Sequence, residues 1–220
     1  MIDSFLRFLV LFNNIPLTIV YTAPAQGANG FEERCIKAGL KTICVAHASD
    51  FVHFPDATIY MDAAFDGSFF ASATPILFHC PATPLTQIPL APANSARFCA
   101  WPGFWERNTW EIATSEDNEG LFNRILAVIG IKSMRVADIA GLIAPRILCT
   151  LINEAAFTIN EGVANVADID TAMKLGTNYP HGPAEWARNI GYGELKQVLD
   201  AMAVENERYL PHKALQQLAG

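Results

Sequence analysis

Residues 146–186 read RILCTLINEAAFTINEGVANVADIDTAMKLGTNYPHGPAEW. In the first half of this stretch, apolar side chains recur at three- and four-residue steps, which predicts an amphipathic helix that buries one stripe. The residues of the stripe are Ile147, Leu148, Leu151, Ile152, Ala155, Ala156 and Ile159. Gly162 follows the last of them. We expect it to end the helix, because glycine adopts the left-handed conformation of a helix C-cap without steric penalty.

A second helix is predicted over 169–175, with Asp168 as its N-cap and Gly176 as its end. The residues Tyr179-Pro180-His181-Gly182-Pro183 cannot be helical. Proline lacks an amide donor and restricts the residue before it, so the chain turns sharply here. A third helix is expected from Ala184. The stretch therefore predicts three helices separated by a capped turn and a proline corner.

This stretch resembles the C-terminal helical domain of the 3-hydroxyacyl-CoA dehydrogenases. The residues that carry the resemblance are Arg146-Ile147-Leu148, Asn153-Glu154-Ala155, Glu161-Gly162-Val163-Ala164, Asp168-Ile169-Asp170, Ala172-Met173, Gly176, Tyr179-Pro180, Gly182-Pro183, Gly191, Arg208-Tyr209 and Pro211. Each motif alone would be weak, whereas the whole set in this order is a strong signal. An unrelated helical bundle with two glycine stops is the alternative.

The whole composition excludes several classes of protein. The chain has 220 residues, of which 51% are apolar and 17% charged, so it is too apolar to be disordered. Its net charge of −7 argues against nucleic acid or an anionic membrane as partner, because both attract cationic surfaces. The five cysteines form no Cys-x-x-Cys pair. Reduced thiols in a cytoplasmic protein are therefore expected.

The apolar segment IDSFLRFLVLF, residues 2–12, allows two interpretations. A signal peptide that ends near 21–23 is one of them. Against it, Asp3 precedes the apolar run and Arg7 interrupts it, and the run is shorter than the ~20 residues of a membrane span. A buried helix or strand is favoured.

Upstream of the helices, short apolar segments alternate with turns. The segments 17–21 and 41–46 predict strands on either side of a helix at 31–38, which makes one βαβ unit. Further predicted elements are strands at 58–62, 75–78, 97–100, 109–113 and 132–136 and a helix at 118–129. Several connections are too short for crossover helices. We expect an α/β protein with a reduced Rossmann-like, mostly parallel sheet at 1–137 and an all-α domain at 138–220.

The loop after the first strand is where a dinucleotide-binding fold carries Gly-x-Gly-x-x-Gly. Only Gly27 and Gly30 are present, at the wrong spacing, with Pro24 in the turn. The acidic residue that should bind the ribose after the second strand is represented only by Asp50, which comes several residues late. The loop therefore predicts no nucleotide cofactor.

The resemblance extends weakly into this first part of the chain. Arg97-Phe98 resembles the strand that leads to the family's catalytic histidine, and Trp110-Glu111-Ile112 resembles its Leu-Val-Glu-Val. Family members use that histidine as a base, held by a glutamate, while hydride passes to a nicotinamide. No histidine occurs between His79 and His181, and the segment 99–103 stands in the place of the base. Of the implied catalytic set, only Glu111 remains.

Two further positions implied by the resemblance are also changed. The family's serine falls near Ala82, and its asparagine is Pro145. A His79–Cys80 pair of base and nucleophile is disfavoured, because adjacent residues of a strand point to opposite faces. His181 is expected at a surface or interface.

Two groups of acidic residues and histidines have simpler interpretations than a reactive site. His47 and His53 with Asp50 and Asp56 have metal-like spacing but no further ligand, so no metal site is predicted. Glu154 and Glu161 share a helix face. We expect one of them at an interface and the other in solvent.

The segment 98–110 is rich in aromatic residues: Phe98, Trp101, Phe104, Trp105 and Trp110. A buried core that fills the space of a lost cofactor is favoured over an exposed patch for a partner or acyl chain.

Three functions follow. The first is a catalytically degenerate 3-hydroxyacyl-CoA dehydrogenase-like protein of fatty-acid β-oxidation, with Glu111 as a vestige of the site. The resemblance implies that it dimerises through the helical domain and contacts acyl-CoA. The second is an active NAD-dependent dehydrogenase whose base lies elsewhere, and the third is a purely structural interaction module.

Overall fold

The computed structural model describes residues 17–24, 27, 30–69 and 72–219. The apolar segment 2–12 lies outside them. The described chain forms two compact units. The first comprises the residues up to Cys80 together with Leu85–Asp138, and the second comprises Pro81–Pro84 and Ile139–Gly220.

The first unit is built on a sheet. Among the described residues its strands are β1 (Thr18–Thr22), β2 (Lys41–Val45), β3 (Ile59–Asp62), β4 (Ile76–His79), β5 (Ser95–Phe98), β6 (Thr109–Thr114) and β7 (Lys132–Arg135). Their order across the sheet is β2-β1-β3-β4-β5-β6-β7. Neighbouring strands pair in parallel except β5 and β6, which are antiparallel. With the helices that follow, this confirms the predicted fold class.

The apolar strands are buried on both faces of the sheet, as the continuous apolar segments predict. On β1, Ile19 and Tyr21 pack into one core with α1 (Phe31–Lys37) and α2 (Glu116–Val128). Val20 lies on the opposite face with Phe51 and Tyr60. Phe51 belongs to a short 3-10 turn, Ala48–His53, which stands where a full crossover helix would connect β2 to β3. The sheet is therefore reduced in the predicted way.

The second unit is helical. Its helices are α3 (Ala144–Asn160), α4 (Val166–Thr177), α5 (Pro183–Ile190), α6 (Tyr192–Ala203) and α7 (Leu215–Ala219), with a 3-10 turn at Glu207–Tyr209. Gly162 has φ of 72° directly after α3, so the predicted glycine stop is confirmed. In the described part of the chain no helix is both long and apolar enough to cross a membrane.

Both predicted boundaries of α4 are wrong. The helix begins at Val166, two residues before Asp168, with Asn165 as N-cap. The Asn165 side-chain oxygen accepts a hydrogen bond from the Asp168 N–H at 3.0 Å. Gly176 lies within the helix, which ends at Thr177 with Asn178 in the left-handed conformation. Asparagine tolerates both kinds of cap.

The apolar stripe of α3 is only partly buried. Cys149, Ile152 and Ala156 are fully buried, whereas Ile147 is 61% exposed. Leu151, on the same side of the helix as Ile147, is half-buried. The helix thus has one apolar face in the core of its unit and a second apolar face that this unit does not cover.

Candidate functional site

Open parallel sheets bind ligands at the carboxyl ends of their strands. In the described sheet, β1 to β5 run in one direction, so these ends meet at one edge. The residues there are Thr22, Val45, Asp62, His79 and Phe98.

Asp62 is a carboxylate that the sequence did not single out, and it is 1% exposed. The Thr22 hydroxyl donates to Asp62 Oδ1 at 2.7 Å, and the Ala64 N–H donates to the same oxygen at 3.1 Å. Burial raises the pKa of the Asp62 carboxyl, and the two hydrogen bonds only partly oppose that shift. The sequence contains one sign of this residue: Asp62 is an acidic residue directly after the apolar segment Ile59-Tyr60-Met61.

The first strand-to-helix turn holds a tyrosine and a glutamate in contact. The Tyr21 hydroxyl donates to the Glu32 carboxylate, which lies in the first turn of the seven-residue helix α1. Burial and this carboxylate raise the pKa of Tyr21 well above its usual range. Phe31 packs its ring 5.5 Å from Tyr21 and 4.8 Å from Trp105. The beginning of α1 therefore presents negative charge and an aromatic cluster.

Asp50 has a local structural role. Its Oδ2 accepts a hydrogen bond from the His47 N–H at 3.3 Å, which caps the 3-10 turn that follows β2. His53 lies at the end of the same turn. Within the described residues no three histidine, cysteine or acidic side chains are grouped to hold a metal ion.

His79 is the histidine that lies at the ligand-binding edge. The Ala100 N–H donates to its Nδ1 at 3.0 Å. The Nδ1 lone pair is therefore engaged, and the neutral imidazole carries its proton on Nε2. In that tautomer the ring can donate a hydrogen bond from Nε2 but has no lone pair there with which to take a proton from a substrate.

Glu111 lies on β6, paired in register with Met134 of β7, and is half-buried. It lines a cavity of about 20 Å³ together with Cys99, Phe104, Arg107, Thr109 and Trp110. A cavity of that size holds about one water molecule. This cavity beside Glu111 is thus too small for a substrate.

The remaining predicted site positions have structural roles. Pro145 is buried in the first turn of α3, where proline costs no hydrogen bond. Ala82 lies in the segment 81–84. His181 sits in the proline corner, with Nδ1 3.7 Å from Glu185 and its ring 4.7 Å from Trp186.

The aromatic residues of 98–110 form a core. Phe98, Trp101, Phe104, Trp105 and Trp110 are each at most 5% exposed. Phe98 and Trp110 stack at 5.0 Å between centroids. The predicted burial of these residues is confirmed, while their filling of a cofactor's space stays a prediction.

A buried ion pair at the same edge was missed by sequence reasoning. Arg97 is fully buried, and its Nε donates to Asp138 Oδ1 at 2.6 Å. The Asp138 carboxylate also accepts hydrogen bonds from the N–H groups of Leu85 and Thr86. The sequence sign of this ion pair is Arg97 itself, a charged residue between the apolar residues Ala96 and Phe98 of β5.

In the helical unit, several of the residues that carry the family resemblance make contacts that hold the helices together. Asp170 Oδ1 accepts from the Ala184 N–H at 2.8 Å, at the beginning of α5. Gly182 is so close that a Cβ there would lie 2.2 Å from the same oxygen. Asn153 binds the tail of the chain. Its side chain donates to the Leu210 carbonyl at 2.9 Å and accepts from the His212 N–H at 2.8 Å.

A groove of about 770 Å³ runs along α3 and α4. Its lining is mostly apolar and includes Ile147, Leu151 and Met173. At one end, the guanidinium groups of Arg146 and Arg208 donate to the Tyr209 hydroxyl at 3.1 and 2.5 Å. Sequence reasoning predicted the apolar stripe but not the arginine pair, because Arg146 and Arg208 are far apart in the chain.

The helical unit matches the model of the 3-hydroxyacyl-CoA dehydrogenase C-terminal domain over residues 141–220. That match decides the family of the helical part of the chain. Residues 141–220 belong to the family of 3-hydroxyacyl-CoA dehydrogenase C-terminal domains. The family resemblance predicted from the sequence is confirmed.

Two dehydrogenases are similar to part of the chain. A 3-hydroxyadipyl-CoA dehydrogenase of Escherichia coli K12 is 39% identical over 88 residues, which are 39% of this chain and 18% of that protein. A 3-hydroxybutyryl-CoA dehydrogenase of Bradyrhizobium diazoefficiens is 35% identical over 102 residues, 46% of this chain and 35% of that protein. The chain therefore spans about a third or less of these relatives.

Solved structures extend the likeness to both units. A crystal structure of (S)-3-hydroxybutyryl-CoA dehydrogenase from Ralstonia eutropha aligns with a TM-score of 0.73 and 17% identity, over 92% of this chain and 93% of that chain. A 3-hydroxybutyryl-CoA dehydrogenase from Escherichia coli K12 gives a TM-score of 0.65 and 18% identity, over 90% of this chain and 50% of that chain. At these identities the likeness concerns the fold alone.

Proposed function

We propose that this chain is a catalytically degenerate 3-hydroxyacyl-CoA dehydrogenase-like protein that works beside the active enzymes of fatty-acid β-oxidation. It self-associates through its helical unit and contacts acyl-CoA without oxidising it. The single observation that carries the proposal is the Tyr21–Glu32 contact, which places a carboxylate at the beginning of α1.

That contact supports the absence of a nicotinamide cofactor. A dinucleotide fold brings a pyrophosphate to the N-terminus of the first helix, where amide dipoles attract it. Here Glu32 and Glu33 occupy the first turn, and negative carboxylates repel phosphate. Asp50, the candidate for the ribose, is engaged with the His47 N–H. The described residues at this edge do not fit NAD.

The contacts of two candidate bases support the same proposal. His79 accepts a hydrogen bond at Nδ1 from the Ala100 N–H, and Glu111 lines a water-sized cavity. A positioned base typically contributes about 10²–10⁴-fold to rate. Losing both the base and the cofactor site would reduce turnover to background.

The proposal is tested by NADH consumption with acetoacetyl-CoA, using the purified full chain at high concentration beside a competent dehydrogenase. No turnover is expected while the control is active. Equilibrium dialysis with acetoacetyl-CoA then measures whether the chain binds the thioester. Turnover that disappears in Glu111→Gln would overturn the proposal in favour of an active dehydrogenase, and Gln is the matched variant because it keeps the side-chain shape.

Self-association has its own support. Besides Ile147, the helical unit exposes Val163, Leu175 and Leu210 by 71%, 83% and 56%. Exposed apolar surface of this kind is typical of contact regions. Analytical ultracentrifugation of the full chain is expected to show a dimer, and a monomer at all concentrations would contradict this part of the proposal.

A further inference from the structure

Strand β2 forms one edge of the sheet in the first unit, and no strand of the described residues pairs with its outer side. We propose that residues 8–12 of the same chain, Phe8-Leu9-Val10-Leu11-Phe12, pair with this edge as an additional strand. The proposal assigns an interaction surface and its occupant, and it is independent of the function proposed above.

The outer side of β2 carries backbone groups that can pair with a further strand. The Lys41 N–H donates to the Leu17 carbonyl at 3.0 Å, so Lys41 faces β1. The backbone groups of successive strand residues point alternately to the two sides of the strand, so Thr42 and Cys44 face outward. An edge of this kind is a template for another strand, and native proteins commonly cover it.

The side chains of β2 are also incompletely covered. Ile43 and Val45 pack against the core that contains Val20 and Phe51, but both are only half-buried. On β1, the next strand inward, Val20 is fully buried. An apolar strand outside β2 would remove more of the Ile43 and Val45 surface from water, which favours pairing.

The order of the strands indicates that this edge accepts a strand. In a doubly wound dinucleotide fold the order is 3-2-1-4-5-6, so the third strand lies outside the second. Here β3 lies on the other side of β1, in the place of the fourth strand. Residues 46–58, all of them described, form the 3-10 turn Ala48–His53 and add no strand to the sheet. The place of the third strand is therefore open among the described residues.

Residues 8–12 are close enough in the chain to reach this place. Leu17 lies beside the start of β2, because its carbonyl accepts a hydrogen bond from Lys41. A strand outside β2 lies two strand spacings from β1, which is about 10 Å. Residues 13–16 span up to about 13 Å when extended. Their sequence, Asn-Asn-Ile-Pro, favours a turn, so the added strand would run antiparallel to β2.

The composition of residues 8–12 suits the edge. They form a continuous apolar run with two aromatic residues and a valine, which are enriched in strands, and the run is as long as β2. Such runs are typical of strands that are covered on both faces. Both α1 and the turn Ala48–His53 contact β2. The short link also keeps the segment at a high effective concentration beside the edge, which favours it over a strand of another molecule.

The test is residue-resolved amide hydrogen exchange, measured by NMR on the full chain and on a variant that lacks residues 2–12. The N–H groups of Thr42 and Cys44 are expected to exchange about 100-fold more slowly in the full chain, because pairing protects them from water. Ile43 and Val45 face β1 and serve as internal controls. Their protection is expected to be the same in both proteins, which also verifies that the variant is folded.

Two double variants keep the segment in the chain. Leu9→Pro with Val10→Pro removes two successive N–H groups, one of which must face β2, and is expected to abolish the protection of Thr42 and Cys44. Leu9→Thr with Val10→Thr is the matched control. It keeps both N–H groups and introduces β-branched residues, so most of the protection should remain.

Each outcome decides for or against the added strand. Equally fast exchange of Thr42 and Cys44 in the full chain and in the deletion variant would overturn the proposal. Mass spectrometry that finds the mature chain beginning near residue 22 would also overturn it, because the segment would then be a removed signal peptide. Protection that rises with protein concentration would place the strand on a second copy and contradict pairing within one chain. Protection that is lost in both the deletion and the proline variant supports the proposal.

Discussion

The two units preserve different parts of the family's sequence pattern. In the helical unit, residues of the family motifs form hydrogen bonds between elements. Asp170 binds the beginning of α5, and Asn153 binds the C-terminal tail. In the sheet unit the strands and their order persist, while the residues at the ligand-binding edge are engaged with each other, as Tyr21 is with Glu32. The difference teaches that a sheet can form from apolar strands whatever polar contacts its edge residues make, whereas the helical unit depends on specific polar contacts between its helices.

In the helical unit, the largest loss of stability is expected for the substitution Gly182→Ala. A Cβ there would lie 2.2 Å from Asp170 Oδ1 and 2.5 Å from its Cα, so the backbone itself must move. We expect a loss of about 3 kcal/mol or more of unfolding free energy. Urea denaturation measures it.

Gly176→Ala is the control for that substitution. Gly176 lies inside α4, and a Cβ there would meet no atom within 4 Å. A stabilisation of about 0.5–1 kcal/mol is expected, because alanine is the better helix former. Equal losses in the two variants would mean that glycine is needed for a reason other than the Asp170 contact.

Asn153→Ala tests the link between α3 and the tail. It leaves the Leu210 carbonyl and the His212 N–H, which are partly buried, without the Asn153 side chain as a partner, and this should cost about 1–3 kcal/mol. Asn160→Ala, an exposed asparagine on the same helix, should change stability by less than about 0.5 kcal/mol. A small effect at Asn153 in thermal and urea melts would show that the tail is not held by these bonds.

Asp62→Ala tests the edge of the sheet. The Thr22 hydroxyl and the Ala64 N–H lose a buried acceptor, so a loss of about 1–3 kcal/mol is expected. Asp62→Asn keeps the accepting oxygen and should therefore cost less. If Asn proves as harmful as Ala in the same urea titration, the carboxylate charge itself is required.

The pH dependence of stability distinguishes the two forms of residue 62. Burial raises the folded-state pKa of Asp62 above its unfolded value, so between the two values the folded state binds more protons. Stability from this group therefore falls as pH rises through that window. In urea melts from pH 4 upward, Asp62→Asn is expected to remove this fall, and an unchanged pH profile would contradict the buried carboxyl.

The smallest expected effect is that of Pro102→His, which returns a histidine to the segment 99–103. We expect no NADH oxidation with acetoacetyl-CoA, because Glu32 still places a carboxylate at the beginning of α1, where a cofactor's pyrophosphate would have to bind. Activity in this variant, absent from a Pro102→Ala control, would show that a nucleotide site exists.

Local patterns predicted most elements of both units. The strand at Thr18–Thr22 and the stop at Gly162 follow from burial on two faces and from glycine's conformational freedom. The start of α4 was missed because Asn165 and Asp168 are equally good caps three residues apart. The hydrogen bond from the Asp168 N–H to the Asn165 side-chain oxygen decides that Asn165 acts as the cap.

Local sequence patterns could not predict which side chains contact each other in the candidate site. Thr22 and Asp62 are forty residues apart, and Arg97 and Asp138 forty-one. No local periodicity pairs them. The apolar stripe of α3 was recognised, but whether Ile147 faces its own unit or remains uncovered depends on the packing of every other helix.

The helical unit is assembled from two separate stretches of the chain, and this limits where the chain can be divided. The Gly141 N–H donates at 2.7 Å to the carbonyl of Pro81, a residue of the four-residue segment that interrupts the sheet unit in sequence. A protease cut or an expression boundary at 138/139 would leave that segment behind. The helical unit would then lose an acceptor just before its longest helix. Neither unit is a contiguous, transplantable module, and a fusion or truncation designed at a single junction would divide the contacts of both.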